Sequence, residues 1–154
     1  MEFKNFDEFY NKAYNLAQLA KSKHTNFKQA ITFARKAFSK TDLNSFYCIG
    51  YLQREYSEML KARSNIIKLS IDSLIKNLLE HPDLNYDNYR TIPFILKSPD
   101  DVILGTCNHL RFFKFINENL YEVIIKNTKN RQENFLLSLH RSDLSKLKNL
   151  KIKR

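Results

Sequence analysis

Glycine is almost missing from this chain: 154 residues contain only Gly50 and Gly105. A phosphate-cradling loop and a dinucleotide fingerprint each need several glycines at fixed spacing, so that backbone can approach the anion. Both are excluded. Cysteine is equally scarce. Cys48 and Cys107 fit a reduced compartment better than a disulfide framework. Cys107 and His109 form the one close pair of soft ligands, and without a second pair at zinc spacing neither a metal nor a cofactor is expected. The His/Glu helix motif of metalloproteases is absent as well. No apolar run approaches the roughly 18 residues that span a bilayer. Glu2, Lys4 and Asp7 make the N-terminus unlike a signal peptide. A soluble cytoplasmic protein is expected, with non-classical secretion left open. Internal repeats and long Ser/Gly/Pro linkers are also lacking.

Positive charge is abundant. The chain carries 26 Lys and Arg against 16 Asp and Glu, a net charge of +10. Residues 1–64 hold +5, residues 65–104 hold −2, and residues 105–154 hold +7. Such a balance favours anionic partners, although AT-rich codon usage also enriches Lys and Asn. The length suits one domain, or one domain with a helical annex over residues 1–64 ahead of an α+β unit over 65–154.

Helical periodicity dominates the first part. Asn5 followed by Glu8 reads as a capping box, and Phe6, Phe9, Tyr10, Ala13, Tyr14, Ala17 and Ala20 then form one stripe. A second helix is expected after Thr25 or Asn26. A third, capped by Thr41, would carry Leu43, Phe46, Tyr47, Tyr51, Met59 and Leu60, with Gly50 where another helix approaches. These three helices read as a small bundle with aromatic core stripes. Residues 65–69 are a short strand candidate. Ser70 then caps a helix that ends at His81-Pro82-Asp83, because proline cannot continue the ladder. Residues 86–90 read as linker, Pro93 opens a short helix through Leu96, and Val102 to Leu104 form a strand ending at Gly105.

Residues 109–141 then read as three antiparallel strands joined by Asn-rich turns, rich in aromatic and β-branched side chains. The remaining LSKLKNLKIKR is a basic, partly helical tail. The expected fold is α+β: an N-terminal helical bundle packed on a small antiparallel four-stranded meander sheet. Alternation sorts Leu136, Ser138 and His140 onto one face of the last strand, opposite Phe135, Leu137, Leu139 and Arg141. Glu122 and Lys126 share a face of the middle strand. The mixed faces would form an open surface with Glu122, Lys126, Ser138 and His140, joined by Lys114 if the first strand aligns.

That surface suits metal-independent RNA cleavage. The reaction needs a base for the ribose 2′-hydroxyl, a proton donor for the leaving 5′-oxygen, and cations for the phosphorane. Histidine performs either proton task near neutral pH, and Lys or Arg supplies the electrostatic part. His140 as a plain surface histidine on a strand edge, and His81 as a helix-terminal group favoured by the dipole, are the competing readings.

The order IIKLS-IDSLIKNLLEHPDL, a Tyr-containing linker, TIPFILKSPDDVIL and a three-stranded meander resembles the phage-associated nucleases of the barnase–EndoU–colicin–RelE group. The resemblance covers roughly residues 65–141. It implies an N-terminal helical part followed by a strand, helices and a four-stranded antiparallel sheet, and a ribonuclease acting as a toxin or effector. His81 would match the group's post-helical histidine, Ser138, His140 and Arg141 its last-strand polar positions, and Arg111 and Lys114 its basic positions. The expected catalytic set is therefore His140, His81, Arg111, Lys114, Ser138 and Arg141, with Lys97, Lys126, Arg131 and Lys146 as substrate contacts. Structured RNA such as tRNA is the expected partner, beside an immunity or antitoxin protein. A non-catalytic nucleic-acid binder and a protein-interaction module of a mobile element are the rivals.

Overall fold

Polar caps start the helices where the sequence places them. The Asn5 side chain accepts from the Glu8 amide at 3.0 Å and opens α1, Phe6–Lys23. Asn26 accepts from Lys28 and Gln29 to open α2, Phe27–Ala37. Each bond satisfies amides that the first helical turn leaves without a partner. The structure, a computed structural model, describes residues 1–152; Lys153 and Arg154 of the basic tail lie outside the described residues.

The third expected helix does not form. Ser39, rather than Thr41, caps a single turn, α3 (Lys40–Asn44), and a strand follows, β2 (Phe46–Tyr51). A separate short helix, α4 (Arg54–Leu60), carries Met59 and Leu60. Phe46, Tyr47, Ile49 and Tyr51 are aromatic or β-branched, and such residues suit a pleated strand better than a helix. Strand pairing settles the choice, because β2 lies between β1 (Glu2–Phe3) and β3 (Ile66–Ser70). Gly50 does mark a close approach. A Cβ there would lie 3.0 Å from Leu96 Cδ1, on the short helix α7 (Ile92–Lys97).

From β3 the chain enters α5 (Ile71–Glu80), capped by Ser70 as its sequence implies. Residues 86–90, expected as linker, form a helix instead, α6 (Tyr86–Arg90). Asn85 and Asn88 build a reciprocal capping box there. After α7 come β4 (Asp101–Leu104), β5 (His109–Ile116), β6 (Asn119–Asn127) and β7 (Asn134–Ser142). Asn117 and Glu118, with φ of 50° and 71°, turn the chain between β5 and β6. A pair of left-handed residues matches the twist of a two-residue hairpin.

The sheet departs from the expected four-stranded meander. Strands β4 to β7 are antiparallel neighbours, but β7 also pairs parallel with β3 through Ile67–Asn134 and Lys68–Phe135. The result is a seven-stranded mixed sheet, ordered β1-β2-β3-β7-β6-β5-β4. Residues 1–64 thus add two strands to the same sheet. Phe9, Ala13 and Ala17 of α1 share one buried core with Leu74 of α5, Phe112 of β5 and Leu139 of β7.

Beyond the short β3 pairing, α5 takes the place of a neighbouring strand beside β7. The buried Asn77 accepts from the Leu139 amide at 3.0 Å and donates to the Leu139 carbonyl at 2.9 Å and to the Tyr89 hydroxyl at 2.8 Å. One side chain therefore stands in for a missing ladder partner. No helix among the described residues is long and apolar enough to cross a membrane.

Candidate active site

A β-bulge sets which side chains of β7 face which way. Opposite β6, Ile125 pairs with Leu136 while Ile124 pairs with Ser138, so Leu137 is an extra residue. The bulge reverses the alternation expected for this strand. Leu136 and Leu139 are both buried in the main core, while Phe135, Ser138 and His140 come to lie together on the other face.

That face is not uniformly open. The tail forms α8 (Leu144–Ile152), which folds back across one end of it. Asp143 caps this helix by accepting from the Lys146 amide at 2.7 Å. Leu147 is buried against Ile103, Phe113 and Leu120, and Lys151 is ion-paired with Asp101. Glu122, expected on an open surface, is consequently fully buried.

Two cations and an imidazole surround this carboxylate. Arg111 Nη1 donates to Oε2 at 2.6 Å, Lys146 Nζ to Oε1 at 2.6 Å, and His140 Nε2 lies 2.8 Å from Oε1. Burial alone would raise the Glu122 pKa, but hydrogen bonds from His140, Lys146 and Arg111 outweigh it and lower the value to about 2. Glu122 is therefore ionised at neutral pH and can only accept. It follows that His140 Nε2 carries a proton, which leaves Nδ1 as the nitrogen open to proton exchange. Nδ1 lies 3.4 Å from Ser138 Oγ.

His81 follows α5 and stacks on His140, with ring centroids 5.4 Å apart and planes inclined by 25°. Desolvation, then the neighbouring His140, pushes the His81 pKa below its usual value. The neutral ring is a ready proton acceptor. Two imidazoles thus lie side by side, one of them oriented by a buried carboxylate that also holds a guanidinium.

The structure brings together His140, His81, Ser138, Arg111 and Lys146. It separates others of the expected set. Lys114 lies on the opposite face, 3.3 Å from Asp100 and 4.9 Å from the Phe94 ring centroid, because β5 aligns Arg111 and Phe113 with Glu122. Arg141 also points away from His140 along β7 and pairs with Asp83 at 3.4 Å. Lys97 ends α7, and Arg131 donates to the Leu60 carbonyl at 2.9 Å from the loop between β6 and β7. Lys126 keeps to the face of Glu122, two residues along β6 beyond Ile124.

The central role of Glu122 was the main feature missed from sequence. Its signal is a single acid within the apolar run LYEVII of β6; buried, such a group requires cationic partners. Among the described residues no group of three or more His, Cys, Asp and Glu could hold a metal ion. Comparison with family models, curated proteins and solved structures gives no match to this chain.

Proposed function

We propose that this protein is a metal-independent endoribonuclease. The observation that carries the reading is the stacked pair His81 and His140, 5.4 Å apart, with Glu122 and Arg111 behind it. In this mechanism neutral His81 takes the ribose 2′-hydroxyl proton. The 2′-oxygen attacks phosphorus, forming the O2′–P bond of a 2′,3′-cyclic phosphate. The P–O5′ bond breaks, and protonated His140 donates from Nδ1 to the departing 5′-oxygen. Arg111, 27 % exposed at its side chain, and Lys146 stabilise charge on the phosphorane. Glu122 is a positioning residue that holds the His140 ring. The resemblance to phage-associated nucleases supports the same chemistry and a toxin or effector role with an immunity partner.

One feature favours a second reading, a nucleic-acid binder without catalysis: every cation around Glu122 is already engaged by it. Incubating the protein with total RNA and tRNA in EDTA separates the two. The nuclease reading expects discrete fragments ending in 2′,3′-cyclic phosphate, lost in His140→Ala and His81→Ala. Intact RNA with steeply salt-dependent binding would overturn it in favour of the binder.

A further inference from the structure

Cross-strand register aligns a second group of side chains on the face that carries His140. Lys68 of β3 pairs with Phe135 of β7, Phe135 with Lys126 of β6, and Lys126 with His109 of β5. These four form one row across four strands, spanning roughly 14 Å at the usual strand spacing. All four are partly exposed. The row lies beyond the end covered by α8, whose Leu147 rests on Ile103, Phe113 and Leu120.

The row is basic and aromatic. Lys126 has no acidic partner among the described residues, whereas Lys68 pairs with Glu133 at 2.8 Å and stands 4.5 Å from the Phe46 ring centroid. Desolvation is the main cause that lowers the His109 pKa, and the nearby charges of Lys126 and Arg111 lower it further. Between this row and His140 lies one intermediate row, Ser138, Ile124 and Arg111. Along β6, Lys126 is four residues from Glu122, roughly 13 Å. A strand of RNA crossing the row would therefore reach the histidine pair after one further row of side chains.

We infer that the row Lys68–Phe135–Lys126–His109 is a binding platform for single-stranded RNA, with Phe135 stacking on a base and Lys126 contacting the backbone. The inference rests on the reading of the same face as an RNA-cleaving site and names its substrate as unpaired strand. A sheet face with a partly exposed aromatic ring accepts a base that is out of its stack. Duplex RNA keeps its bases stacked and offers this face phosphates and 2′-hydroxyls but no base to stack.

The test measures affinity by fluorescence anisotropy, using a labelled single-stranded RNA oligonucleotide and the same strand annealed to its complement. His140→Ala serves as the background, in EDTA, so that the probe stays uncut. Phe135→Leu, which keeps apolar bulk but loses the ring, is expected to weaken single-strand binding by about 10-fold. Phe135→Tyr should retain it. Lys126→Gln should reduce the slope of log K against log salt by roughly 0.7. Unchanged binding in Phe135→Leu, an equal loss in Phe135→Tyr, or equal affinity for duplex and single strand would overturn the platform. The two proposals fail separately. Wild-type protein that binds through Phe135 but yields no product removes the nuclease reading alone. Cleavage that persists with unchanged affinity in Phe135→Leu removes the platform alone.

Discussion

Replacing Glu122 by glutamine removes one charge while preserving size, and it leaves Arg111, His140 and Lys146 crowded around a neutral amide. In the wild type the carboxyl pKa falls from 4.5 to about 2. That depression corresponds to about 3 kcal/mol of folding stability. Solvent reaches Lys146, whose side chain is 41 % exposed, so the working figure is about 2 kcal/mol. For a domain of this size the variant should melt roughly 4–8 °C lower at pH 7. The pH dependence has a definite sign. Because the folded carboxyl titrates below its unfolded value, its contribution is complete above about pH 4.5 and fades as pH falls toward 2. Glutamine does not titrate, so the two proteins should converge in acid, with roughly half of the gap gone by about pH 3. Thermal melts followed by circular dichroism at pH 7, 5, 4 and 3 would measure this. Coincident midpoints at pH 7, or a gap that stays constant down to pH 3, would refute the account of Glu122 as the hub of this face.

Three further outcomes follow from the geometry. Asn77→Leu leaves the Leu139 N–H and C=O without their partner and should cost about 2–4 kcal/mol in urea unfolding; a loss below about 1 kcal/mol would show that water replaces the side chain. His81, followed by NMR titration, should protonate below its usual range. Its pKa should rise in His140→Ala as the neighbouring charge is removed, while remaining depressed by burial. Since a lowered histidine pKa favours the neutral folded form, this contribution to stability is present above about pH 6.5 and lost as pH falls through the folded value; an unperturbed His81 resonance would contradict the stacked arrangement. Gly50→Val drives its side chain into Leu96 and should destabilise by about 1–3 kcal/mol. Leu96→Ala in the same chain should recover part of that loss, and additive effects would show that the two sites are independent.

The helices with polar caps and clear stripes were legible from sequence, including α1, α2 and α5 with their caps Asn5, Asn26 and Ser70. So were β4 to β7, because runs of aromatic and β-branched residues between Asn-rich turns have few alternatives. Residues 46–51 were not legible. Their apolar spacing fits a helix, and only pairing with β3, distant in sequence, selects the strand. The parallel joining of β3 to β7 was hidden for the same reason. At the site, the histidines and Arg111 stood out by residue type, but Glu122 as their common partner depends on α8 folding over it. Lys114 was misplaced because period-two reasoning cannot say which face of β5 aligns with β6, whereas Arg141, which alternation had already set opposite His140, joined the expected set only through the resemblance.

That bulge makes one position of β7 tolerant both of substitution and of loss. Leu137 is the unpaired member of its strand, so exchanging it for another side chain should alter little beyond local packing. Deleting it would leave a regular ladder, because Leu136 and Ser138 already pair with successive residues of β6, Ile125 and Ile124: Leu139 would stay in the core with Leu74 and Phe112, and His140 would stay opposite Glu122. A chain one position shorter between Phe135 and His140 would match the four-residue span from Lys126 to Glu122 and present its histidine to the same side of the sheet.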